Sequence, residues 1–187
     1  SDLRMPFIAV GLLFRQGYFL QTIDSEGTQH AIYRDADFDD LPITPVLRED
    51  GTELHVRVEM PERNVAIKVW QARVGHVTLY LLDTDLEENA QQDRDLSARL
   101  YGGDRETRLQ QEIILGIGGV RALRALEIAP AVWHLNEGHA AFVVLQRIHE
   151  FTAEGMGFDE ALTAVRNTTI FTTHTPVPAG NETYGRD

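Results

Sequence analysis

The chain has no cysteine among its 187 residues. Disulfides, thiolate metal sites and a cysteine nucleophile are therefore excluded, and the composition is compatible with a reducing, cytoplasmic compartment. Basic residues are scarce: 17 Lys+Arg stand against 29 Asp+Glu, a formal net charge of −12, and the 7 histidines do not reverse that sign near neutral pH. Such a surface repels phosphate backbones and anionic bilayers, so neither nucleic acid nor membrane is an expected partner. A neutral ligand such as a sugar meets no such penalty. No apolar run approaches the ~20 residues of a membrane span. The opening stretch, SDLRMPFIAVGLLFRQGYF, lacks a basic n-region and a small-residue cleavage site. It enters a strand almost at once, without an initiator Met, and the chain stops in the polar stretch GNETYGRD. Both ends read as cuts in a longer chain. Repeats and low-complexity segments are missing too, as are H-E-x-x-H and G-x-S-x-G.

What is present is a 43% hydrophobic composition, enough for a core in a single domain or a piece of one. PFIAVGLLF (6–14) is a continuous apolar run one strand long, predicting a strand buried on both faces. Residues 20–50 are mixed and acidic, and DADFDDLPITP (35–45) marks an irregular segment. The period then changes to two. Leu54, Val56, Val58 and Met60 alternate with polar residues, as do Val65, Ile67 and Val69, and Pro61 to Asn64 separates them as a hairpin turn. HVTLYLLDTD (76–85) reads as a third strand. A helix is predicted from about Asp104 to Leu126, with Leu109, Ile113, Ile117, Val120 and Leu123 on its buried stripe. GIGG (116–119) lies inside it and predicts close helix packing, since it lacks the spacing of a dinucleotide loop.

The last third alternates strand, helix, strand. AVWHL (131–135) is a strand and NEGH (136–139) its turn. The helix 140–151 carries a Phe142, Leu145, Ile148 stripe, and the helix 157–167 has Asp159 as its predicted cap. TIFTT (169–173) reads as a short buried strand. Two strands joined by a helical crossover predict parallel pairing in an α/β sheet. Ligands bind such sheets outside the strands' carboxyl ends. Here one strand end delivers Asn136, Glu137 and His139, and the other delivers His174 and Thr175, followed by Pro176 and Pro178. Each has a plainer alternative. His174 could be a core histidine bonded to a carbonyl, Glu137 a helix cap, and Asn136 an Asx turn or N-cap. His134, His139 and His149 lack metal-ligand spacing, so no metal is expected. The many scattered carboxylates cannot be paired as a glycosidase acid and base.

At these motifs the chain resembles the α-glucan phosphorylases, the glycogen, starch and maltodextrin phosphorylase family. WHLNEGHAAF (133–142) is similar to the family's Asn-acid-x-His turn, and FTTHTPVPAGNE (171–182) to its strand-end His-Thr followed by Pro. LYGGDRETRLQQEIIL (100–115) resembles the loop that reaches the active site and the helix after it, and VGLLFRQGYFLQ (10–21) an earlier strand and turn. The four motifs occur in the family's order. The wording is closest to the shorter, bacterial and archaeal branch. Only 35–95 matches in β-rich character alone.

The resemblance implies a Rossmann-like three-layer α/β domain with a parallel sheet, one half of a two-domain GT-B glycosyltransferase fold, with a β-rich insertion around 51–85. It implies that residues 1–187 are part of the N-terminal domain, with the C-terminal cofactor domain absent. The parent would cleave terminal α-1,4-glucosidic links with orthophosphate and release glucose 1-phosphate with retention. Pyridoxal phosphate would act through its phosphate, on a lysine outside this chain, so the fragment alone is expected to be inactive and to bind no cofactor. His174 matches the histidine that contacts the glucosyl unit at the cleavage site. Glu137 matches an acid, usually Asp in the family, that orients this histidine and the sugar. His139 matches the second histidine of the turn, towards the acceptor sugars. Asn136 and Thr175 complete the sugar site, and Tyr101 and Asp104 fall in the gate loop. The family's proline after the turn is Ala140 here. The rivals are a fragment of a nucleotide-sugar-dependent retaining glycosyltransferase, a non-catalytic glucan-binding module, and a folding fragment whose cut apolar edge drives homo-oligomerisation.

Overall fold

The alternation across residues 54–85 folds as read, into three consecutive antiparallel strands. The computed structural model describes residues 3–100 and 102–176. It forms two compact units, Ser1–Gln111 and Glu112–Asp187. In chain order the first unit holds β1 (Ile8–Leu12), β2 (Leu20–Ile23), β3 (Gln29–Ile32), β4 (Ile43–Pro45), β5 (His55–Met60), β6 (Arg63–Val74) and β7 (Val77–Asp83). A short helix α1 (Gln91–Arg94) follows, then α2 (Arg105–Ile113), within which the two units divide.

β6 is the organising strand. It pairs antiparallel with β7, β5 and β4, and β7 pairs in parallel with β1 to complete a five-stranded sheet. The β-rich segment is therefore continuous with the sheet that contains β1. The sheet is mixed, with β1–β7 as its parallel pair. The first of its hairpin turns is tighter than the sequence predicts. Met60 faces Arg63 across Pro61-Glu62, with Glu62 at φ 62, and Val74 faces Val77 across Gly75-His76, with Gly75 at φ 64. The positive angle at Gly75, first in its turn, suits a type II′ hairpin, and that at Glu62, second in its turn after Pro61, suits type II. Val58, Val65, Ile67, Val69 and Leu82 are fully buried and form the core. Each contributes roughly 1.5–3 kcal/mol by leaving water. β1 is half-buried throughout, not buried on both faces, and among the described strands it pairs with β7 alone.

The mixed, acidic stretch, for which the sequence predicts no strand, contains the antiparallel hairpin β2–β3. Its loop is held by Asp24, whose Oδ1 accepts from the Glu26 and Thr28 N–H groups at 2.9 Å each. All eight strand residues are exposed, so no buried face imposes an alternation that the sequence could reveal. Beyond β7 the chain is tied down by buried polar groups. Asp83 accepts from Trp70 Nε1 at 3.2 Å, Ser97 Oγ at 3.0 Å and the Asp85 N–H at 2.9 Å. Asn89 Nδ2 donates to the Ala66 and Thr84 carbonyls at 2.8 Å each.

The second unit begins in the helix predicted from 104 to 126. That helix is three segments: α2, a π-helical turn (Ile114–Gly118), and α3 (Gly119–Ala125). The π turn inserts one residue and rotates the buried face. Ile114, Gly116, Gly118, Val120, Ala122 and Leu123 are buried, whereas Leu109, Ile113 and Ile117 are half-buried. Gly116 packs as predicted. A Cβ there would lie 2.6 Å from Phe142 Cβ and 2.8 Å from the Val143 N.

β8 (Trp133–Asn136) and β9 (Thr169–Thr172) then pair in parallel, joined through α4 (Phe142–Ala153) and α5 (Phe158–Asn167). Ile148, Ala161 and Val165 pack with Val144, Phe151 and Met156 between the two helices. The buried side of α4 is Val143, Gln146, Arg147 and Ile148, while Leu145 of the expected stripe is 58% exposed. A short 3-10 turn, Gly138–Ala140, precedes α4, and because steps of three residues fall short of the 3.6-residue turn, the Phe142, Leu145, Ile148 row drifts around the helix away from its buried side. The α5 cap is Gly157, and Asp159 lies inside the first turn. β9 is not a buried strand. Ile170 and Phe171 are 55% and 57% exposed, and β9 pairs with β8 alone among the described strands.

Candidate functional site

In β8, Trp133 and Leu135 point inward, while His134 and Asn136 face out. The register sets Asn136 opposite Thr172, so the two strands end together. The next residue of the first strand, Glu137, turns sharply, with φ 58 and ψ −168. Few non-glycine residues adopt a positive φ, and such strain is held by surrounding bonds. Here the Glu137 N–H donates to the Thr172 carbonyl at 2.8 Å. The turn aims the Glu137 side chain at the end of β9, not at the helix that follows. It makes no side-chain cap, which sets aside the capping alternative.

The carboxylate instead holds the chain beyond β9. Glu137 Oε1 accepts from the His174 N–H at 2.8 Å, the Thr175 N–H at 2.8 Å and Thr175 Oγ1 at 2.9 Å. Glu137 is 5% exposed. The His174 N–H, with Thr175 and the Thr173 side chain, holds its pKa down from 4.5 to about 2, against the opposing effect of burial. An ionised, triply bonded carboxylate thus fixes the backbone direction of His174 and Thr175.

The His174 ring does not join a core. Its side chain is 61% exposed. Nε2 lies 3.1 Å from Asn136 Oδ1, and Nδ1 lies 3.4 Å from Glu137 Oε1. Asn136 therefore engages the histidine, not an Asx turn. The structure brings Asn136, Glu137, His174 and Thr175 into one cluster, with the outward ring as its chemical group. His139 stands apart in the 3-10 turn, 58% exposed, with Nδ1 3.9 Å from Glu112 Oε1. Asp104 lies in the first unit and starts α2. Its Oδ1 accepts from the Thr107 N–H and hydroxyl at 2.9 Å each, which lowers its pKa. Tyr101 and Pro178 lie outside the described residues.

Two supports of this cluster escape sequence reasoning. His134 Nε2 meets Thr172 Oγ1 at 2.6 Å across the paired strands. Arg147, 4% exposed on α4, donates to Thr168 Oγ1 at 2.7 Å and Thr169 Oγ1 at 2.8 Å, and its guanidinium lies 5.0 Å from the Trp133 ring centroid. It pins the start of β9. The available signal was its position four residues after Val143, on the buried side of α4. Among the described residues no group of three or more His, Asp or Glu is arranged to hold a metal, and no helix is long and apolar enough to cross a membrane.

No family model matches the chain. Curated relatives do. The chain is similar to maltodextrin phosphorylase of Thermococcus litoralis, 50% identical over 98% of this chain and 22% of that protein. It is 47% identical to glycogen phosphorylase of Mycobacterium tuberculosis, over 98% of this chain and 22% of that protein. With glycogen phosphorylase of Aquifex aeolicus it shares 39% identity, over 98% of this chain and 27% of that protein. The chain spans about a fifth to a quarter of these relatives. Over nearly all of its length it therefore matches one segment of the glycogen and maltodextrin phosphorylases.

Proposed function

We propose that this chain is the part of a phosphorylase N-terminal domain that forms one wall of the glucosyl site. The domain would be Rossmann-like and belong to a two-domain GT-B fold. The full-length protein would transfer the terminal α-1,4-linked glucosyl unit of a glucan to orthophosphate. An oxygen of phosphate bonds to C1, the C1–O4 bond breaks, the departing O4 takes a proton, and glucose 1-phosphate forms with retained configuration. One observation carries the reading within the chain: the strand-end clamp in which Glu137 fixes the backbone of His174 while the ring stays exposed. It falls on the motifs that resemble the family's, and relatives named as phosphorylases match over the whole region. Those names favour phosphorolysis over nucleotide-sugar transfer.

The roles follow from which groups are already engaged. The His174 N–H is held by Glu137, so its ring and carbonyl are what it offers a sugar. A carbonyl oxygen fixed in direction stabilises positive charge developing at C1 and needs no reorganisation during the reaction. Glu137 positions it, and His139 extends the site towards the acceptor sugars. The family's pyridoxal phosphate, which supplies a phosphate group to the reaction, attaches through a lysine. The chain's single lysine, Lys68, donates to Glu53 at 2.7 Å and lies 4.1 Å from the Trp70 ring on β6, so the residues present do not form that attachment.

The test uses the full-length protein with maltodextrin, with and without orthophosphate, and quantifies glucose 1-phosphate. Product should depend strictly on phosphate, and His174→Ala should lose 10²-fold or more, about 2.7 kcal/mol of barrier. An unaffected variant would remove His174 from the site. The 187-residue chain by itself should release none; phosphate-dependent product from it would overturn the assignment of half a cleft.

A further inference from the structure

The two ring nitrogens of His174 meet different chemistry. Nδ1 faces Glu137 Oε1 at 3.4 Å, and Nε2 faces the Asn136 carboxamide at 3.1 Å. Oε1 is anionic and already accepts two backbone N–H groups and a hydroxyl. A lone pair on Nδ1 would be repelled by that oxygen, whereas an Nδ1–H is attracted. Among the described residues Glu137 is the charged group within ion-pair distance of the ring. The carboxamide has no fixed polarity towards Nε2. It accepts through Oδ1, or, turned about its terminal bond, donates through Nδ2. It therefore matches Nε2 in both states, accepting from the Nε2–H of an imidazolium and donating to the bare nitrogen of the neutral ring.

We infer that Asn136 is a positioning residue that holds the His174 ring with Nδ1–H towards Glu137 and Nε2 towards its own carboxamide. The inference rests on the reading of His174 as the functional ring. It moves Asn136 from sugar contact to control of the histidine. Asn136 is placed for this by the register alone: it is the last residue of β8, on the exposed face, opposite Thr172 and therefore beside the chain that leaves β9.

The experiment is long-range 1H–15N correlation NMR of the full chain labelled with 15N, at a pH where the ring is neutral. Nδ1 should appear protonated and Nε2 bare. Asn136→Asp sets an anionic acceptor at Nε2 and should shift the proton there, so that Nε2 reads as protonated. Asn136→Ala should move both nitrogens towards the averaged signal of exchanging tautomers. An amide spectrum unchanged away from the site confirms that each variant folds. An Nε2–H ring in the wild type, or a wild-type pattern in either variant, overturns the proposal. None of these readouts needs phosphorolysis, so the activity assay and this one fail independently.

Discussion

Among the described residues there are two parallel strand pairs, β1–β7 in the first unit and β8–β9 in the second, and each has a buried carboxylate at a strand end. Asp83, the last residue of β7, accepts from the Trp70 indole, the Ser97 hydroxyl and the Asp85 N–H. Two of its three donors are side chains, and the bonds close the strand end. Glu137, after β8, is bonded almost as fully, but its partners are two backbone amides and a hydroxyl of the neighbouring strand's exit. The side chain carried by that backbone, the His174 ring, stays 61% exposed. The same device, a desolvated carboxylate at a parallel strand end, closes one region and presents a titratable ring in the other. A strand end becomes a candidate site when the groups it fixes are backbone and the side chain they carry is left for a ligand.

The comparison is broken most severely by Asp83→Ala. It leaves the Trp70, Ser97 and Asp85 donors without their acceptor in a buried place, and about 3 kcal/mol of stability should be lost, read by urea unfolding. Removing Glu137 should cost less, because its donors can turn to water at the exposed strand end. Equal losses would show that both clamps are structural. Gly116→Ala tests the packing beneath the second region. Its Cβ would meet Phe142 Cβ at 2.6 Å and the Val143 backbone, so about 2 kcal/mol should be lost in the same measurement. A neutral result would mean that the π turn yields.

The smallest effect is the sharpest for Glu137. Its carboxyl is held down from 4.5 to about 2 in the folded chain. The folded state therefore binds fewer protons there than the unfolded state. The stabilisation is complete above 4.5 and is lost as pH falls through about 2. Stability measured against pH should rise more steeply across that window in the wild type than in Glu137→Gln. Superimposable slopes would remove the clamp.

The strands of residues 54–85 were legible because one face is buried and the alternation of Val58, Val65, Ile67 and Val69 follows from that burial. The β2–β3 hairpin was not, since all eight of its residues are exposed. The helix at 104–126 was legible in extent but not in phase, because a one-residue π insertion leaves composition unchanged while rotating the buried face. Leu145 was misplaced because a row spaced by three residues drifts around a helix of 3.6 residues per turn, and Leu145 falls opposite Val143, Gln146 and Arg147. Asn136, Glu137, His174 and Thr175 were legible as polar residues at predicted strand ends. The choice between helix cap and clamp for Glu137 was not, because it turns on a positive φ that no spacing encodes.

By itself the sequence determined the strands of residues 54–85, the extent of the helices after residue 104, the parallel crossover, and the strand-end positions of the polar residues, because hydrophobic period and turn chemistry are local. It also carried the resemblance, through four motifs in order. Only the tertiary structure decided that Glu137 reaches across to the exit of β9, that the His174 ring faces solvent between Asn136 and Glu137, and that Arg147 pins the start of β9. Those contacts join residues 22 to 38 positions apart. Strand register sets them, and register exists only once the strands have paired.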